Sequence, residues 1–437
     1  MDRIIVQGGR RLQGQVRVSG SKNAALAQMA AALLAPGATT LRNVPRLRDI
    51  ETMADVLRFL GADVTDEGDR LTIQGRDFTG WEAPYDMVRK MRASIYVLGP
   101  MLARLKRARV SLPGGCAIGP RPIDLHLRGL QALGADIQIE GGYIVADGSA
   151  MRGAEFALEG EFGSSVGATI NVLMAAVLTP GRTVLHGAAR EPEVSEVARM
   201  LNLMGAQIKG IDSWTLHIDG VEELRPISYA TIPDRVEAGT FLVAGAITGG
   251  DVLVSDPRPD HLTAVLEKLL QTGNEVEILP DGIRVRGAGR LRATSIRTLP
   301  YPGFPTDMQA QFMALLCLAE GESLISEGIY PDRFIHAAEL GRLGAEIHMG
   351  RGEARIRGKP RLIGAPMMAS DLRASAALIL AALAAEGQSE ILRVYHIDRG
   401  YEHIEAKLRQ LGADVIRVAG AHRAAEGADV GEGGAIA

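Results

Sequence analysis

The sequence predicts an α/β protein made by using one small module six times, and three observations point there. A short phrase recurs along the chain: Leu60-Gly61-Ala62-Asp63, Leu133-Gly134-Ala135-Asp136, Met204-Gly205-Ala206, Leu343-Gly344-Ala345-Glu346, Leu411-Gly412-Ala413-Asp414 and a degenerate Thr272-Gly273-Asn274-Glu275. Its glycines lie 73, 71, 68, 71 and 68 residues apart, whereas helical and leucine-rich solenoids repeat every 20–50 or so. Between these phrases, a polar opening leads six times into an apolar run rich in Ala and Leu that ends at Gly or Pro-Gly. A Thr/Val/Ile-rich segment then follows, which reads as a strand.

The elements follow in order. Met1 to Gly8 begins like a strand, not a signal peptide. The six openings are Gly20-Ser21-Lys22-Asn23, Met91-Arg92-Ala93-Ser94, Ser164-Ser165-Val166-Gly167, Asp234-Arg235-Val236-Glu237, Thr306-Asp307-Met308-Gln309 and Asp371-Leu372-Arg373-Ala374. The first run, Ala24 to Leu34, stops at Pro36-Gly37 and continues as a strand from Thr39 to Val44. The third, Ala168 to Leu178, stops at Pro180-Gly181 before a strand from Thr183 to His186. Runs of this length and composition are buried helices. A second, amphipathic helix in each unit carries the Leu-Gly-Ala-Asp phrase at its end, as in Glu51 to Leu60 and Ile404 to Leu411. There Gly supplies the left-handed cap.

Composition bounds the function. A chain of 437 residues, 46% apolar, can bury large cores and should hold at least two domains. A net charge of -4 does not favour nucleic acid or anionic membrane. No uninterrupted apolar segment reaches the roughly 18 residues of a membrane span. Two cysteines form no disulfide framework, which fits a reducing cytoplasm. There is no zinc spacing, Walker motif or dinucleotide fingerprint, so no metal and no cofactor is expected. The stretch after Ala419 lacks periodicity and is expected to be a disordered tail.

The candidate site begins at the openings. Helix N-termini favour anions, yet Lys22, Arg92 and Arg373 place cations there. Each alone could be a solvated surface charge; three at matching places suggest a shared anionic ligand. The segment Ser111 to His126 is the sharpest local signal, an exposed loop of glycines and prolines around Cys116, ahead of a helix from about Ile123. Near Arg121, and with Lys22 a further candidate neighbour, that thiol could be activated; alternatively it fills a small apolar gap. Cys317, inside Ala314 to Ala319, reads as a buried helix residue. Asp307 and Asp371 stand at helix starts, where an N-cap is the simplest role. Arg333 and Arg399 lie in polar turns, where local ion pairs are an alternative to function.

The motifs Gly20-Ser21-Lys22-Asn23-Ala24-Ala25, Met91 to Ser94, Pro113-Gly114-Gly115-Cys116, Gly119 to His126, Phe304 to Gln309, Asp371 to Ser375 and His396 to Tyr401 resemble those of the UDP-N-acetylglucosamine 1-carboxyvinyltransferase family over residues 1–419. The resemblance implies a two-domain inside-out α/β barrel of six βαβαββ repeats, three per domain. Residues 22–231 would form one domain, and 1–21 with 232–419 the other, with both crossings near Ser21 and Ile232. It also implies transfer of the enolpyruvyl group of phosphoenolpyruvate to the 3-hydroxyl of the UDP-sugar, early in peptidoglycan synthesis. Cys116 would be the proton donor, and Lys22, Asn23, Arg121 and Arg399 the phosphoenolpyruvate contacts. Asp307 would accept the hydroxyl proton or orient the hydroxyl. Arg92, Arg121, Pro122, Ile123, Asp124 and Leu125, with Gly163, Ser164, Ser165, Val166, Gly167 and Ile329, would hold the UDP-sugar. Asp371, Arg373 and Arg333 would serve positioning or closure. Gly163 departs from the family, whose members often carry a basic residue there. Cysteine at 116, where some relatives carry Asp, implies inactivation by the epoxide fosfomycin. Rival readings are a shikimate 3-phosphate enolpyruvyl transferase, an RNA 3′-phosphate cyclase and a non-catalytic binding scaffold; no obligate protein partner is expected.

Overall fold

The computed structural model describes residues 2–76, 78–113 and 123–420. Cys116, Arg121 and Pro122, and the tail from 421, lie outside the described residues. Six four-stranded sheets share one pattern. In one of them Glu82–Ala83, Arg107–Ser111, Tyr143–Asp147 and Asp136–Glu140 lie side by side; the first pair is parallel and the others antiparallel. With the intervening helices Leu98–Leu105 and Asp124–Ala132, the chain order is strand, helix, strand, helix, strand, strand.

The N-terminal segment departs from linear order. Strand Arg3–Gln7 lies between Gln388–Leu392 and Asp414–Val418, and Gln13–Arg17 runs parallel to Asp251–Ser255. Conversely, Ser228–Ala230 pairs with Ala38–Arg42. The two chain passages meet where the Ser21 amide donates to the Ile232 carbonyl at 2.7 Å, beside a Gly20–Pro233 bridge. The buried apolar residues form two clusters, one drawn from 25–224 and one from 4–18 with 236–415.

The local signals explain the elements. In Lys22–Ala32 every residue except Asn23 is buried, and all of Gln309–Leu316 is. Small side chains let such helices pack closely: Gln309–Leu316 lies against Leu372–Ala384, and Leu98–Leu105 against Val166–Ala176. Arg48–Phe59, by contrast, has one buried face, acids in its first turn and Arg58 in its last. All six phrase glycines have φ between +88° and +111°. At the first, the Gly61 amide bonds to Arg58 O and the Ala62 amide to Leu57 O, and the same pair of bonds recurs at the other five. This is the Schellman arrangement, in which a left-handed glycine lets the last carbonyls be satisfied.

Two openings differ from expectation: Thr306–Met308 is a 3-10 turn ahead of the α-helix Gln309–Leu316, and the second opening is displaced further. Arg92–Val97 is a 3-10 helix, and the α-helix starts only at Leu98. Pro100 is the physical reason, because its ring excludes an α-helical carbonyl four residues earlier.

Candidate active site

Lys22 opens its helix behind Ser21, whose hydroxyl accepts from the Ala24 amide. Lys22 is not a solvated surface charge. It is buried, with Nζ 3.0 Å from Asp49 Oδ2, while Arg399 Nε lies 2.9 Å from Asp49 Oδ1. Asp49 and Lys22 belong to the stretch that builds the first core, Arg399 to the stretch that builds the second. Two cations on one carboxylate make a positively charged trio suited to an anion. Burial pushes the Asp49 carboxyl up, but the charges of Lys22 and Arg399 outweigh it and hold it below its ordinary value. Asn23, next on the helix, is half-buried.

A second group surrounds Asp307. This residue lies in the 3-10 turn Thr306–Met308 and caps no helix. Its Oδ1 accepts from Arg333 Nη1 at 2.8 Å, and Oδ2 lies 3.3 Å from Nε and Nη2 of Arg373. Both guanidinium groups are buried, and the Arg373 one lies over the Tyr401 ring at 5.5 Å. Asp371 does act as a cap: it accepts from the amides of Arg373 and Ala374 and so fixes the backbone that carries Arg373. Asp234 ties the two groups together. Its Oδ1 caps Val236 and Glu237, its Oδ2 accepts from the Lys22 amide at 3.1 Å, and its charge acts on Arg373.

The third group is the expected sugar-binding surface. Gly163–Ser164 pairs with Glu159–Gly160, and the Ser165 hydroxyl caps the helix Val166–Ala176 that includes Gly167. Leu125 packs under this ribbon near Gly160; Asp124, one residue after Ile123, opens its helix exposed to solvent. Gly163 has φ +89°, and a Cβ there would come within 3.2 Å of Pro300 Cγ. A basic side chain at 163 is thus disfavoured by this backbone as well as absent. Ile329 follows Glu327 in a turn on the Asp307 side, its amide bonded to Glu327 Oε1 at 2.9 Å.

His126 supports this surface from below. Asn171 Oδ1 accepts from the Gly99 amide, so its Nδ2 donates to Ile95 O and to His126 Nδ1 at 2.8 Å. The ring proton therefore sits on Nε2, against Gly167. Burial, with the charge of Arg92, pushes His126 down to about 3. An unfolded histidine titrates near ~6.5, so this residue contributes stability in full above that pH, and the contribution is lost as pH falls toward 3. Denaturant melts should show stability declining between pH 7 and 5 in the wild type and a shallower decline in His126→Gln; equal slopes would contradict the assignment.

Comparison with known proteins separates the rival readings. The family model for EPSP synthase (3-phosphoshikimate 1-carboxyvinyltransferase) matches residues 6–408. The UDP-N-acetylglucosamine 1-carboxyvinyltransferase of Trichlorobacter lovleyi is 53% identical over 418 residues, covering 96% of this chain and 99% of that protein. The protein of the same name from Gluconobacter oxydans is 54% identical over 419 residues, covering 96% and 100%. The chain belongs to the UDP-N-acetylglucosamine 1-carboxyvinyltransferase family. Among solved structures, the enolpyruvyl transferase NikO from Streptomyces tendae superposes with a TM-score of 0.87 at 25% identity, over 95% of this chain and 98% of that one. EPSP synthase from Acinetobacter baumannii superposes at 0.73 with 19% identity, over 96% and 100%, which speaks for the fold alone. The fold is the mixed α/β one of these enolpyruvyl transferases.

For a UDP-N-acetylglucosamine 1-carboxyvinyltransferase, the residues that sequence reasoning missed are carboxylates. Asp49, Asp234, Glu193 and Glu327 all lie buried against residues singled out above or their neighbours. Glu193 holds Arg235 at 2.9 Å across the two cores, beside the Glu191–Tyr301 contact. An acid flanked by apolar residues, as in Pro192-Glu193-Val194, was the available signal at one of them; Asp49, between Arg48 and Ile50, carried none. Cys317 is buried just past the end of its helix, with its thiol pushed up to about 12 by burial. Among the described residues, no group of three or more His, Cys, Asp or Glu is placed to hold a metal ion.

Proposed function

We propose that this chain transfers the enolpyruvyl group of phosphoenolpyruvate to the 3-hydroxyl of UDP-N-acetylglucosamine and releases phosphate, the step that commits the sugar to peptidoglycan. The observation that carries the reading is the match of more than half of all positions to UDP-N-acetylglucosamine 1-carboxyvinyltransferases along 96% of the chain. The paired cationic groups support it chemically. In the addition, C3 of the enol gains a proton, the sugar oxygen bonds to C2, and the hydroxyl proton is lost. In the elimination, C3 loses a proton and the C2–phosphate bond breaks. A metal-free site for this needs an acid, a base and fixed cations around the tetrahedral carbon.

Cys116 is the proton donor in this reading, and Arg121 a further cationic contact for phosphoenolpyruvate. Lys22, Asn23 and Arg399 receive phosphoenolpyruvate near Asp49. Asp307 accepts or orients the hydroxyl proton, with Arg333, Arg373 and Asp371 fixing its position. Arg92, the 121–125 segment, the 163–167 ribbon and Ile329 hold the UDP-sugar. The reading includes two inside-out α/β barrel domains, 22–231 and 1–21 with 232–419, which close on the sugar and exclude water. The two apolar clusters and the six-fold strand pattern support that division. It also places the enzyme in the cytoplasm, where its substrates are made.

Fosfomycin tests the thiol's role. Its epoxide should alkylate Cys116, add one inhibitor mass to the peptide that carries it, and abolish activity, leaving Cys317 unmodified. Unchanged activity at full exposure to the epoxide would refute the role.

A further inference from the structure

Glu327 is a buried carboxylate, 4% exposed, one residue past the strand Glu322–Ser326. Four donors converge on it. Oε1 accepts from the amides of Ile329 at 2.9 Å and Tyr330 at 3.1 Å, and from the Thr298 hydroxyl at 2.5 Å. Oε2 accepts from the Thr306 hydroxyl at 3.0 Å. Thr306 Oγ1 in turn accepts from Arg333 Nη1 at 3.0 Å, the nitrogen that also bonds Asp307 Oδ1. On the other side, Thr298 Oγ1 accepts from the Gly328 amide at 2.9 Å. One carboxylate thus spans the turn that carries Asp307 and the turn that carries Ile329.

We propose that Glu327 is a positioning residue for the sugar acceptor, holding the Asp307 turn and the Ile329 turn at a fixed separation. The proposal rests on the reading that these two turns flank the sugar. A buried acid serving stability alone is poorly suited to its place, because the desolvation cost of a carboxylate is large and a well-packed apolar residue commonly does as well. What an apolar residue cannot do is fix two amides and two hydroxyls at once. Glutamine cannot either. Its carboxamide has one acceptor oxygen: with that oxygen on the two amides, the NH2 group meets the Thr306 hydroxyl and leaves the hydroxyl proton without its acceptor, and turned round it faces two amide N–H groups.

The test is steady-state kinetics with each substrate varied, on Glu327→Gln and Thr306→Val, with thermal melting of both. Glu327→Gln should raise KM for UDP-N-acetylglucosamine about tenfold or more, the equivalent of one lost buried hydrogen bond. KM for phosphoenolpyruvate should stay within about twofold by the same argument. Thr306→Val removes the Oε2 link together with the Arg333 bond to the same hydroxyl, and should raise KM for the UDP-sugar in the same direction while keeping the fold. If Glu327→Gln does not fold, Thr306→Val carries the test by the same split between substrates. A lowered melting temperature with unchanged constants for both substrates would overturn the proposal and leave a structural acid. If the wild type itself releases no phosphate with the UDP-sugar, the functional reading fails first, and the proposal falls with it.

Discussion

Asp307→Ala is expected to lower kcat for phosphate release roughly 10³-fold, within the range for loss of a general acid–base group. The geometry also predicts a second effect. Arg333 and Arg373 are 5% and 3% exposed, and Asp307 is a carboxylate partner of both. Breaking a buried ion pair from one side commonly costs about 3–5 kcal/mol, because the remaining charge is left without its partner. Asp307 itself is partly exposed, so water offsets part of that cost, and a loss nearer about 2 kcal/mol is expected. Asp307→Asn separates the two consequences. The amide oxygen can still accept from one arginine, so stability should fall less than in the alanine variant, while the loss of activity should be similar. Calorimetry and initial rates on both variants check this. A kcat within tenfold of wild type in Asp307→Asn would remove Asp307 from the chemistry.

Asp49→Asn should lower kcat/KM for phosphoenolpyruvate about 10²-fold, the loss expected when a buried charge pair is opened from one side. Asparagine offers one acceptor oxygen where Lys22 and Arg399 now share two. The NH2 group then faces one of the two cations, which loses its acceptor, and the chain passages that the carboxylate joins, 27 residues apart on one side and 350 on the other, lose their common partner. The effect should fall on phosphoenolpyruvate and spare the KM for the UDP-sugar. Asp49 also carries a pH signature. A carboxyl held below its ordinary value contributes stability that is present above its unfolded value of ~3.9 and lost as pH falls through its folded value. Acid unfolding of Asp49→Asn should therefore be shallower below about pH 4. Equal UDP-sugar and phosphoenolpyruvate effects would argue that Asp49 merely supports the fold.

How far the sequence could be read depends on distance along the chain. The six Leu-Gly-Ala phrases are local, and each glycine is left-handed with the same two capping bonds. The Ala-rich runs were equally legible, because a helix that is apolar on all sides has few places to go except inside. Long-range pairing was not legible. Nothing near Asp49 in sequence announces Arg399, and nothing near Glu193 announces Arg235. Local motifs also misled where one residue decided the outcome. Asp371 and Asp307 both precede small-residue helices, yet only Asp371 caps. Asp307 sits inside a 3-10 turn, where its side chain is free to meet two arginines. The cations at the openings posed a like ambiguity: Lys22 and Arg373 are themselves buried and paired with carboxylates, Asp49 and the partly exposed Asp307, so a solvated surface charge was the wrong alternative for both.

The most direct test is inorganic phosphate released from phosphoenolpyruvate with each of two acceptors. With UDP-N-acetylglucosamine, the wild-type protein should release phosphate in step with acceptor consumed, and with shikimate 3-phosphate it should release none. Release with shikimate 3-phosphate alone, or with neither acceptor, would contradict the account.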